Sequence, residues 1–135
     1  MLQAGNQKAS IHHQVVVIHQ GVHSNGPHGP SKSLLAQGLD DVMRDHGVAL
    51  VIAGHDHMYE RGVVDGLRYM VSGGGGAPVY AKTVKRGHAE VKKAVHHLVD
   101  FTVDDTGISF EVVEKDGAIL ESCRLDEASG GYACP

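Results

Sequence analysis

The sequence predicts a mixed α/β fold in which one β-α-β unit is followed by an antiparallel β meander. Two apolar runs and one change of periodicity carry that prediction. Val15 to Ile18 (VVVI) and Val48 to Ala53 (VALVIA) contain no polar residue, the pattern of strands covered on both faces of a sheet. From Val95 onward the apolar residues alternate instead, at every second position, as in strands that turn one face to a core.

Between the two runs, Leu34, Leu35, Leu39, Val42 and Met43 recur at helical spacing. Ser31 or Ser33 offers an N-cap oxygen, and Gly47 after His46 offers a stop. A helix crossing between two strands of one sheet makes them parallel, so both carboxyl ends open on the edge where such sheets hold ligands. Beyond the second run, Arg61 to Val64 and Leu67 to Ser72 flank Asp65-Gly66, a two-residue hairpin signal. Val95, His97, Val99, Phe101 and Val103 then make one meander strand, Ile108, Phe110 and Val112 a second, and Ile119 to Leu125 a third. Thr106-Gly107 and Asp116-Gly117 supply the turns. These strands are expected to extend one sheet and to leave an apolar face bare. Residues 1–125 read as part of one domain, with MLQAGNQKAS as the end of a helix leading into the first strand. Residues 126–135 read as a disordered tail.

The chemistry gathers at the strand ends. His19 is the first residue after VVVI, and His55 and His57 follow VALVIA directly in GHDHMYER. Neighbouring strands lie about 4.8 Å apart, so His19, His55 and His57 can converge as metal ligands. The doublets His12-His13 and His96-His97 project to opposite faces of a strand and receive no role.

Three blocks in order, VVVIHQGVHSNGPHG, HGVALVIAGHDHMYERG and LRYMVSGGGGAPVY, give the chain a family likeness. It resembles the carboxyl-terminal half of calcineurin-like metallophosphoesterases, in particular the branch similar to purple acid phosphatases, and the likeness extends loosely to about Leu125. The resemblance implies part of a four-layer αββα sandwich, two metal ions (Fe, Zn or Mn), and hydrolysis of phosphate esters by hydroxide generated from water at the metals. Position by position it implies that His19 and His55 bind one ion and His57 the other. His28, on the SNGPHG loop, is then the candidate proton donor to the leaving group or phosphate contact, and His23 a second candidate for substrate binding.

The family's Asp-x-His, Gly-Asp-x-x-Asp and Gly-Asn-His motifs are absent from these residues. Three neutral imidazoles bring no negative charge to two cations that sit about 3.5–4 Å apart in such centres. The chain alone is therefore expected to bind metal weakly, to hydrolyse little, and to need the missing amino-terminal half or a partner chain. Asp56, between the two ligand histidines, should point away from the metals if its segment is extended, while Glu60 and Arg61 should pair or brace the loop. Two other classes stay open: a mononuclear zinc hydrolase with a three-histidine site, and a non-catalytic, partner-dependent metal-binding module.

Composition narrows the rest. A net charge of −4 with two Phe, four Tyr and no Trp gives neither the basic footprint nor the stacking platforms of a nucleic-acid binder. No apolar run reaches the length of a membrane-spanning helix. Lys82, Lys85, Arg86, Lys92 and Lys93 read as a solvated loop. The tetraglycine Gly73 to Gly76 lacks a following Lys-Ser/Thr, so it reads as a sharp turn beside the metal loop rather than a phosphate loop. Cys123 and Cys134 leave a disulfide possible and the compartment open.

Overall fold

The computed structural model describes residues 12–80 and 87–135. The readings of MLQAGNQKAS and of Lys82, Lys85 and Arg86 lie outside those residues. Strand β1 (Val15–Ile18) leads through helices α1 (Lys32–Ala36) and α2 (Leu39–Asp45) to β2 (Leu50–Ala53). The two strands are neighbours and parallel, in register from Val15 against Leu50 to Ile18 against Ala53. The crossover is thus present, but as two short helices rather than one. Gly38, in the left-handed region at φ 67°, is the N-cap of α2 and ends the first helical path. Ser31 occupies the N-cap position of α1 without a side-chain capping bond.

The Asp65-Gly66 hairpin joins β3 (Tyr59–Val64) to β4 (Leu67–Ser72), with both turn residues at positive φ, 49° and 82°. The returning strand β4 inserts beside β2 in parallel, and β5 (Ala89–Lys93), which the periodicity did not reveal, pairs with β3. This gives a five-stranded sheet ordered β1-β2-β4-β3-β5.

The meander is β6 (His97–Asp104), β7 (Gly107–Glu114) and β8 (Ile119–Asp126), followed by β9 (Gly131–Ala133). It does not extend the first sheet; it forms a second, ordered β6-β7-β8-β9. Its apolar face is also not bare. Ile108, Phe110, Val112 and Leu125 pack directly on Leu50, Tyr59 and Met70 of the first sheet. The alternate residues Val51, Tyr69 and Val71 face the other way, onto Met43, Leu34, Leu35 and Leu39 of the helical layer. Period-two alternation in β2 and β4 thus serves two cores at once.

The tail departs from expectation as well. Residues 126–135 are not disordered: Tyr132 pairs with Leu125, and Cys134 closes a disulfide with Cys123. Arg61 lies beneath this corner. Its guanidinium donates to both oxygens of Glu121 at 2.8 Å, reaches Glu90, and stacks 4.7 Å from the Tyr132 ring. One buried cation therefore links both sheets.

The opposite side of the sandwich is open. Among the described residues β1 pairs on one edge only, and Val15 and Val17 are 41% and 74% exposed. His13, just before β1, reaches the carboxyl end of the edge strand β6, where its Nε2 donates to the Asp104 carbonyl at 3.0 Å.

Candidate metal and substrate site

His19 stands at the carboxyl end of β1 and His55 just beyond β2, and Gly54 N–H donates to the His19 carbonyl at 3.1 Å, tying the two strand ends together. The GHDH segment is not extended. Asp56 N–H donates to the Gly54 carbonyl and Met58 N–H to that of Asp56, so two three-residue turns follow one another. His55 sits at the centre of the first with φ 65°, a conformation uncommon for non-glycine residues. The turn sets the His55 ring edge-on to that of His19, with Nδ1 of one 3.1 Å from Nε2 of the other.

Asp56 does turn away from the histidines, by way of these turns rather than an extended pleat. Its buried carboxylate accepts bonds from Ser24 Oγ, from the His28 backbone N–H at 3.2 Å and from His28 Nδ1 at 2.8 Å. Since a carboxylate accepts, the proton lies on His28 Nδ1 and leaves Nε2 available. The His28 ring packs 4.4 Å from that of His55 and 5.6 Å from Tyr80. Gly26 is required here, because a Cβ would fall 2.1 Å from the Asp56 carboxyl carbon.

His57 is positioned separately. Its Nδ1 donates to the Pro78 carbonyl at 3.0 Å, and Tyr80 stacks on its ring at 4.6 Å. His19, His28, His55 and His57 thus line one cleft with Ser72, Gly73, Ala77 and Tyr80. His23 does not join them. It lines a different cavity with Asn25, Tyr69 and His88, and burial lowers its pKa. The expectation that His23 shares the substrate pocket is corrected accordingly: its ring lies 5.7 Å from that of Tyr69, in a cavity that Leu35 of the helical layer also lines.

Glu60 and Arg61 do not pair with each other; each braces a different contact. Glu60, fully buried, accepts from Asn25 N–H, from Asn25 Nδ2 at 2.8 Å and from Tyr69 OH at 2.7 Å. It thereby pins the loop that carries His28 to β3. Burial and the Glu60 bond push the Tyr69 phenol well above its ordinary range. Sequence reasoning missed Ser24, Asn25 and Tyr80, whose roles depend on which loops meet and leave no local signature.

The donor chemistry suits a metal in part. Two nitrogens bound to one ion at about 2.0–2.1 Å each lie about 3.3 Å apart at a tetrahedral angle, close to the 3.1 Å between His19 and His55. The described residues lining the cleft include no carboxylate, because Asp56 is engaged by Ser24 and His28. The three histidines do not bring three donor atoms within 4.8 Å of one another; Glu121, Cys123 and Cys134 do among the described residues. Those sulfurs are joined to each other, and Glu121 is held by Arg61, which leaves that corner no free donor set.

No protein-family model matches the sequence, and no curated protein does. Several solved structures share the fold, among them the following two. GAP50, described as the anchor in the inner membrane complex of Plasmodium, superposes with a TM-score of 0.82 at 22% identity, covering 93% of this chain and 39% of that one. The purple acid phosphatase PPD1 from yellow lupin (Lupinus luteus) seeds superposes at 0.70 and 16% identity, covering 90% of this chain and 26% of that one. The chain therefore spans well under half of either protein.

Proposed function

We propose that this chain is the histidine-bearing part of a metallophosphoesterase-like αββα sandwich and takes part in metal-dependent hydrolysis of phosphate esters, with the rest of the site supplied by polypeptide beyond these residues. The observation that carries this reading is the contact of His19 and His55 past the ends of adjacent parallel strands, in a fold shared with a purple acid phosphatase. His19 and His55 would hold one ion and His57 a second. When bound, such ions supply Lewis-acid polarisation of the phosphoryl group and a nucleophile from water. His28 is the proton carrier: Asp56 holds its ring through the Nδ1 proton, and the doubly protonated imidazole would give its second proton, on Nε2, to a leaving alkoxide, ending as the neutral Nδ1–H form. Among the described residues the cleft has no carboxylate to balance two cations, which supports a site that other polypeptide completes.

Cobalt(II) gives the test, because imidazole coordination produces visible absorption. Weak binding is expected, lost in His19→Ala and His55→Ala and kept in His23→Ala. Absence of any cobalt-dependent change at the His19 and His55 rings by NMR overturns the metal reading. Full turnover of p-nitrophenyl phosphate by this chain alone overturns the partial-site reading. A second, non-catalytic reading is favoured by one pair of facts, the likeness to a protein described as an anchor and the carboxylate-free cleft; metal-free association with a partner chain that His55→Ala leaves intact would support it.

A further inference from the structure

We propose that the groove across the glycine run from the histidine cleft is a second subsite, which takes the apolar, aryl-type group of the ester whose phosphate lies among the histidines. The inference rests on the phosphoesterase reading and extends it to substrate class. The groove has a volume of about 600 Å³ and is walled by Leu98, Val113, His96 and Lys115, a size typical of small-molecule sites. It shares Gly75 and Gly76 with the histidine cleft, so the glycine run borders both.

The glycines differ in what demands them. A Cβ at Gly73 would fall 2.1 Å from the Asp56 carbonyl oxygen, and one at Gly74 would fall 2.3 Å from His97 Nδ1. Packing therefore excludes side chains at both. At Gly75 a Cβ would meet no atom within 4 Å, and the backbone does not occupy the left-handed region. Neither sterics nor conformation calls for glycine there. A side chain there would stand on the border that the cleft and the groove share.

The groove's chemistry selects its occupant. His97 spends Nε2 on Ser72 and Nδ1 on the Val95 carbonyl, and His96 Nδ1 is bonded to the Gly74 carbonyl. The imidazoles thus offer the groove mainly ring carbon. Leu98 stands 59% exposed at the wall, an apolar surface that a flat ring would cover. Lys115 is the cation of the lining.

NMR titration of the labelled chain tests this with three probes: 2-naphthol, inorganic phosphate and 1-naphthyl phosphate. Naphthol is expected to shift the amides of Gly75, Leu98 and Lys115 without metal, and phosphate to leave them unmoved. Leu98→Asp should weaken naphthol at least about tenfold. The same Leu98→Asp change should abolish the advantage of 1-naphthyl phosphate over inorganic phosphate while leaving free phosphate binding as it was, since Leu98 lines the groove and not the histidine cleft. Naphthol that moves no groove amide, or binds equally to Leu98→Asp, overturns the subsite. Naphthol in the groove with no response of His19 or His55 to phosphate or cobalt overturns the phosphoester reading and leaves an apolar ligand site supported.

Discussion

Replacing Glu60 by Gln keeps the shape of the side chain and removes half of its acceptor capacity. In the native protein the Asn25 N–H reaches both carboxylate oxygens at 3.0 Å, and Asn25 Nδ2 and Tyr69 OH converge on Oε1 at 2.8 and 2.7 Å. No water-facing surface is available to relieve a mismatch, since Glu60 is 0% exposed. In Glu60→Gln the new NH2 group must face one of these donors, which leaves a buried donor without a partner at a cost of about 1–3 kcal/mol. Truncation to Ala strands the Asn25 N–H and the Tyr69 hydroxyl proton and leaves Asn25 Nδ2 only its longer bond to the Tyr69 hydroxyl at 3.3 Å, at a cost of about 3–5 kcal/mol, comparable to breaking a buried charged pair. At this chain length a loss of 2 kcal/mol lowers the Tm by very roughly 6–12 °C. Urea denaturation followed by circular dichroism measures the cost, and the Asn25 amide signal reports whether the His28 loop has come free. A Glu60→Gln protein within about 0.5 kcal/mol of the parent, the range of an inert surface change, would refute the claim that Glu60 holds that loop.

Three further outcomes are expected. Arg61→Met should destabilise by about 3–5 kcal/mol, because Glu121 keeps only the Tyr59 hydroxyl among its described partners; calorimetry checks it. Cys134→Ser should cost about 2.5–3 kcal/mol through the loop spanning 11 positions, by the chain-entropy estimate, and the same loss should appear when the parent is reduced and melted. The His97 imidazole is held below its ordinary 6.5 by burial. The unfolded chain then takes up a proton near pH 6.5 that the folded chain refuses, so stability should fall as pH drops through 6.5 and level off below the folded pKa. A His97→Gln protein whose melting temperature falls equally between pH 7.5 and 5.5 would contradict this.

The parallel pair β1 and β2, the hairpin at Asp65-Gly66 and the convergence of His19 with His55 were legible because each follows from a local pattern: unbroken apolar runs, a turn dipeptide, and residues just past strand ends. The failures were long-range. Nothing within AEVKK marks it as the fifth strand, since its half-buried pattern depends on Tyr59 to Gly62 lying alongside. The meander residues alternate identically whether they extend a sheet or face one, so the two-sheet arrangement could not be chosen from periodicity. The tail EASGGYACP looked too polar and glycine-rich to order, but pairing to β8 and a covalent link to Cys123 offset its weak propensity. In sequence His28 is the first candidate and His23 the second. Only the fold of the loop between them, pinned by Glu60 and Asp56, sends one into the cleft and the other into a separate cavity.

Among the described residues one flank of β1 is unpaired, and that flank bears on how this polypeptide behaves as a material. Val15 to Ile18 carries none of the lysines, prolines or bulges by which natural edge strands ward off chance pairing. Its amides are a template for whichever extended segment arrives first, another copy included. Colloidal behaviour in concentrated solution should accordingly be governed by four uncharged residues rather than by the overall charge of −4, with a single lysine at position 17 doing more to keep the solution clear than several added acids elsewhere.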